Sequence, residues 1–180
     1  MNSSTVNAIS YLVGTFIDLY IAAVLLRLLL QWVRADFYNP LCQFLVKVTN
    51  PVLVPLRRVI PSIRRLDTAS VVLMLGLEII GVWIISRLAS SPMGAMQIVT
   101  FSAIKLVMTL LMTYFFLIIA SVILSWIGRN LQHPVIPLVY QLTEPVLKPF
   151  RRFIPPIAGI DLSPLFALVA IRFLILLLGW

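Results

Sequence analysis

The chain has 180 residues, of which 61% are hydrophobic and only 11% charged, against about 25% charged residues in an ordinary soluble domain. So little polar sequence cannot cover a soluble core, which excludes a water-soluble globular protein and implies an integral membrane protein. The net charge of +8 gathers in two segments between apolar runs, a topogenic pattern rather than the face of a nucleic-acid binder, and the single cysteine, Cys42, excludes an intrachain disulfide.

Four apolar runs read as membrane helices, at roughly 8–33, 68–89, 98–127 and 160–180. The tail before the first, Met1 to Asn7, carries no positive charge. It shows no small-residue cleavage site, so the first helix is expected to be its own insertion signal. That run would be about 39 Å long against a hydrocarbon core of about 30 Å, so it must tilt or extend into the interface. Asp18 lies inside it, and Arg27 lies near enough to the end marked by Trp32 and Arg34 to snorkel.

After Pro40, the stretch Leu41 to Val48 is too apolar for a solvated loop. It predicts a short helix in the interface or under the bundle, with a re-entrant segment as the alternative. Pro51, Pro55 and Pro61 follow, with Arg57 and Arg58 between the last two. Proline inside a helix removes a hydrogen bond and clashes with the preceding turn. The spacing therefore predicts a break, with a single short turn from near Pro55 to before Pro61. Asp67 and Thr68 would start the second membrane helix, which carries Glu78 and, toward its far end, Arg87. Gly76 and Gly81 are expected to permit close packing.

The link from Ser90 to Gln97 has no Lys or Arg. The third run carries Lys105, the filler residues Met108 and Met112, and then Ser121 and Ser125, which are expected to bond back to their own helix. Trp126 and Arg129 mark its end. The sequence then repeats itself. Pro134 leads into Val135 to Leu142. Thr143 to Asp161 matches Thr49 to Asp67 at eleven of nineteen positions, without a gap, at an offset of 94 residues. Pro145, Pro149 and Pro155 stand for Pro51, Pro55 and Pro61, and Arg151 and Arg152 for Arg57 and Arg58. Asp161 stands for Asp67, and Asp161 or Ser163 can cap the last helix, with Pro164 in its first turn. Arg172 lies in that helix, at the position equivalent to Glu78.

The expected fold is all-α: two tandem repeats, 1–94 and 95–180, each a transmembrane hairpin with an amphipathic segment between its helices. Lys and Arg collect on the cytoplasmic side. Both basic loops are therefore expected in the cytoplasm and both termini outside.

The duplicated pattern Thr-x-Pro-Val-Leu-x-Pro-[Leu/Phe]-Arg-Arg-x-Ile-Pro, closed in the second copy by Asp161-Leu162-Ser163-Pro164, resembles the YggT family of small membrane proteins. The resemblance covers the whole chain. The first copy departs from the pattern at Arg64-Arg65, where the second has Ala158-Gly159. The resemblance implies a bacterial inner-membrane location, or a plastid one for other members. It further implies a non-enzymatic protein linked to osmotic-stress tolerance, division-linked gene neighbourhoods and, in plastids, assembly and nucleoid organisation.

Two groups of residues carry the functional expectations. Arg57, Arg58, Arg151 and Arg152 are expected to anchor the loops at lipid headgroups, or to recognise anionic lipid or an acidic protein. Asp18, Glu78, Lys105 and Arg172 are costly within the bilayer and need partners. The equal depth of equivalent residues predicts a Glu78–Arg172 ion pair, with Asp18–Lys105 as a second. Such charges hold a bundle together or line a proton or cation path. The leading expectation is an envelope-organising or assembly protein without cofactor, metal or catalytic residue, whose partners are membrane lipids, other proteins or further copies of itself. The alternative is a small oligomeric transporter or channel linked to K⁺ or H⁺.

Overall fold

The computed structural model describes residues 3–63, 66–127, 133–154 and 161–179. Among these are six helices: α1 (Ser3–Trp32), α2 (Pro40–Val59), α3 (Thr68–Leu88), α4 (Ala95–Ile127), α5 (Val135–Phe153) and α6 (Ser163–Leu177). Arg64, Arg65, Arg129, Pro155 and the pair Ala158-Gly159 lie outside the described residues.

Helices α1, α3 and α4 are long and apolar enough to cross a membrane, whereas α6 is a shorter apolar helix of 15 residues. The three long helices are apolar all round, and they leave Phe16, Ile80, Trp83 and Phe116 exposed. A helix that is hydrophobic on every side and yet not covered by protein needs lipid around it.

Helices α2 and α5 are of another kind. Each buries one stripe: Cys42, Leu45, Thr49 and Leu53 in α2, and Leu138, Leu142, Thr143 and Leu147 in α5. Each runs straight through the prolines at which a break was expected, Pro51 and Pro55 in α2 and Pro145 and Pro149 in α5. Only continued helix places Leu53 on the face of Leu45 and Thr49, or Leu147 on that of Thr143. The prolines cost about 3 kcal/mol apiece in a helix interior, mainly through a lost bond and a clash. Here they and the residues whose carbonyls they release, Lys47, Pro51, Gln141 and Pro145, all lie on exposed positions, where polar surroundings can satisfy those carbonyls. Burial of the stripe outweighs what remains of the cost. Asn39 caps α2 by accepting the Leu41 N–H at 3.0 Å, with Pro40 in the first turn, as its position implied.

The helices group into two compact units. The first holds Met1–Leu28 and Leu45–Thr109. Within it α1 meets α3 closely: a Cβ on Gly81 would lie 3.2 Å from Ile17, whereas one on Gly76 would meet nothing. Of the two glycines, Gly81 is the one that close packing requires. Ile21, Val24, Leu53 and Met74 are buried in this unit. The second unit holds Leu29–Phe44 and Leu110–Trp180. Here α5 packs on α6, and Ile118, Leu142, Ala167 and Ile175 form buried apolar positions.

Candidate functional site

In the first unit, three ionisable side chains from three helices converge. Lys105 of α4 donates from Nζ to Asp18 Oδ1 of α1 at 2.6 Å and to Glu78 Oε2 of α3 at 2.9 Å. The Glu78 side chain is fully buried, and its Oε1 has no partner. Asp18 is about half exposed. The expected Asp18–Lys105 pair is present. The expected Glu78–Arg172 pair is not: Lys105 takes the Glu78 carboxylate, and Arg172 lies exposed on α6. Equivalence in a repeat implies equal depth but leaves open which way round the helix a side chain faces. The cluster therefore carries two carboxylates and one ammonium, not the balanced set of four that depth alone suggested.

The two basic pairs are each divided by a carboxylate. Arg57, in the last turn of α2, donates from Nε to Asp67 Oδ2 at 3.1 Å and also from Nη2. Asp67 is buried, and the same oxygen accepts from the Ser70 hydroxyl at 2.6 Å. Paired backbone bonds join Ile63 and Leu66 just before Asp67. Burial pushes the Asp67 carboxyl up, but the bonds from Arg57 and Ser70 outweigh it and hold the group below the ordinary carboxylate value. Asp67 occupies the N-cap position of α3, yet its side chain makes no cap bond. In α5, Arg151 donates from Nε to Asp161 Oδ2 at 2.8 Å and from Nη1 to Glu144 Oε2 at 2.7 Å. The other oxygen of Asp161 accepts the Ser163 N–H at 2.9 Å, a local bond across two residues, while the N-cap position of α6 is Leu162, so the expected cap by Asp161 or Ser163 is not made. Arg58 and Arg152, the second members of each pair, are exposed.

A cavity of about 370 Å³ opens beside this second clasp, lined by Ser121 of α4, by Tyr140, Thr143, Glu144 and Arg151 of α5, and by Asp161. All its walls belong to the second unit.

Set against known proteins, the chain matches the CCB3/YggT family model twice, over residues 6–88 and 100–180. The chain belongs to the CCB3/YggT family. Among its relatives, an uncharacterized protein of Pseudomonas aeruginosa is 43% identical over 90% of this chain and 83% of its own length. A Vibrio alginolyticus protein from the region 3′ of proC is 41% identical over 96% and 94%. The Escherichia coli K12 protein YggT is 34% identical over 88% and 82%. No solved structure matches the chain.

Two features of this YggT-family protein escaped the sequence reading. The clasp was legible in principle, because an Arg and an Asp ten residues apart occur in both copies. Arg27 was not. It does not snorkel outward but is 6% exposed, with Nη1 donating to the Thr49 hydroxyl at 2.5 Å. Arg87, in contrast, is exposed near the end of α3, with its guanidinium 5.9 Å from the Trp83 ring. Ser121 and Ser125 do bond back to their own helix, at the carbonyls of Ile118 and Val122.

Proposed function

We propose that this YggT-family membrane protein is a non-enzymatic organiser of the envelope, acting on lipid or protein through the basic ends of α2 and α5. One observation carries the reading: each Arg pair is split, with Arg57 and Arg151 held by carboxylates while Arg58 and Arg152 stay exposed. Val59 and Phe153, the residues next to the free arginines, are exposed as well. An amphipathic helix that ends in a basic side chain beside a bare apolar one suits a membrane surface, where each basic residue near anionic lipid contributes about 1 kcal/mol. In this reading α6 is the fourth span, the chain forms two parallel hairpins, and α2 and α5 lie on the cytoplasmic face of the inner membrane. A role in osmotic tolerance belongs to the same proposal.

The test compares lipid retained by the purified protein after extraction from membranes of mixed composition. Arg58→Glu with Arg152→Glu is expected to abolish a preference for anionic lipid and leave folding intact. An unchanged preference removes the arginines from the function.

A second reading rests on a different observation. The cluster of Lys105, Asp18 and Glu78 holds an excess carboxylate, and one Glu78 oxygen is buried without a partner. Intramembrane carboxylates of this kind serve proton and cation movement. Flux of K⁺ and H⁺ is measured separately in proteoliposomes, for wild type and Glu78→Gln. Flux that Glu78→Gln removes from a folded protein makes this a transporter. No flux from folded wild type leaves the organiser reading ahead.

A further inference from the structure

The residues that line the cavity of the second unit have counterparts 94 residues earlier in the first, and the two sets differ in charge. Ser121 stands 94 residues after Arg27, Thr143 the same distance after Thr49, and Arg151 and Asp161 after Arg57 and Asp67. In the first copy the Arg27 guanidinium lies buried against the Thr49 hydroxyl, which itself donates to the Leu45 carbonyl at 2.6 Å. Thr143 is 1% exposed and likewise donates to the carbonyl one turn back, Val139, at 2.9 Å. With its proton so used, what the Thr143 hydroxyl offers the cavity is an acceptor, the role Thr49 plays toward Arg27.

Of the lining positions that differ between the copies, three change the cavity's charge or its aromatic wall. Serine replaces arginine at 121, so the cation of the first copy gives way to space. Glutamate replaces asparagine at 144, and tyrosine replaces valine at 140. One cation is lost, one anion gained and one aromatic wall added. Trp126, also on the cavity wall, supplies a second aromatic face. Two carboxylates, Glu144 and Asp161, now share the single guanidinium of Arg151. The first copy balances Asp67 against two guanidinia instead. Acceptors, an uncompensated negative charge and aromatic faces together suit a guanidinium or ammonium head. The volume is that of a small-molecule site.

We infer that the cavity between α4, α5 and the start of α6 binds an organic cation with a guanidinium or ammonium head, in the place that Arg27 fills covalently in the first repeat. This assignment is independent of what Arg58 and Arg152 do. The head can come from a soluble compound or from an amine-bearing lipid headgroup.

The test uses the full chain in nanodiscs made only of phosphatidylglycerol, which has no amine. Agmatine and ethanolamine are titrated in by calorimetry, with K⁺ as the inorganic control. Agmatine is expected to bind, and Glu144→Gln to weaken it at least tenfold. Ser121→Arg rebuilds the first copy's arrangement. It is expected to abolish binding and to raise Tm, by about 2–4 °C for each kcal/mol gained. A misfolded variant loses both, so the paired readout separates filling from damage. If Ser121→Arg does not fold, Tyr140→Val carries the test, with weakened binding at unchanged Tm expected. Native mass spectrometry of protein taken from membranes containing phosphatidylethanolamine decides the source. That lipid retained by wild type and lost in Ser121→Arg assigns the site to a headgroup, and agmatine binding without such retention assigns it to a soluble cation. No binding of any amine to folded wild type, K⁺ binding as tight as agmatine, or binding unaltered by Ser121→Arg overturns the assignment.

Discussion

The two Arg–Asp clasps come from one repeated motif yet sit in different surroundings. Asp67 is 1% exposed and shares one oxygen between Arg57 and Ser70, whereas Asp161 is 35% exposed and divides Arg151 with Glu144. The spacing that makes the bond is the same in both copies. Its energetic weight is not, because an ion pair withdrawn from water must stay paired, while one in contact with water can be replaced by hydration. A motif thus specifies a contact, and burial decides what the contact does. The buried clasp pins the start of α3 to the end of α2. The open one leaves its groups available to a cavity.

The largest effect expected from this contrast is on stability. Asp67→Ala strands Arg57 and Ser70 and should cost about 3 kcal/mol, while Asp161→Ala should cost under about 1 kcal/mol. Reversible denaturation in detergent micelles measures both, and equal costs would end the distinction. Next in size is the response to acid. The folded carboxyl of Asp67 is held low, so its contribution is complete above the ordinary carboxylate value of about 3.9 and is lost as pH falls through the lower folded value. Asp161 shifts in the same direction: burial raises it, and the bonds from Ser163 and Arg151 outweigh that. Its solvent contact makes the consequence smaller. A plot of Tm against pH below about 4 should therefore flatten more in Asp67→Asn than in Asp161→Asn. A larger flattening in the second would reverse the ranking.

Smaller still is Ser70→Ala, which removes one bond to Asp67 and should cost about 1 kcal/mol. Pro164 holds the equivalent place in the second copy and has no such bond to lose. The smallest is Glu144→Gln, expected to change stability by less than about 0.5 kcal/mol because the Glu144 side chain is 54% exposed. A marked loss there would mean that Glu144 helps to hold the fold, which would bring the two clasps closer in kind.

Much of the chain was legible before any tertiary contact was known. Apolar runs and the offset repeat were sufficient for the long helices and the family. The prolines misled because their local cost was visible while the stripe they interrupt was not weighed. Leu53 and Leu147 repeat the spacing of Thr49 and Thr143, and their burial settles the conformation. Lys105 was named as a partner for Asp18, but its second bond, to Glu78, was assigned to Arg172, because depth follows from sequence position whereas facing does not. Arg27 was read as an outward-reaching residue from its distance to the helix end. Only the seating of α2 against α1 gives it Thr49 as a partner.

By itself, then, the amino-acid sequence determined what is additive along the chain. That comprises the lipid-soluble helices, the duplication, the amphipathic character of α2 and α5, and the residues that must carry charge into apolar surroundings. The tertiary structure decided which of those charges meet, which member of each arginine pair is held, and which copy of one motif is closed by its own arginine and which is open. Hydrophobic content and propensity are sums over neighbouring residues. Ion pairs and cavities depend on the rotation and seating of whole helices, and no local sum contains these.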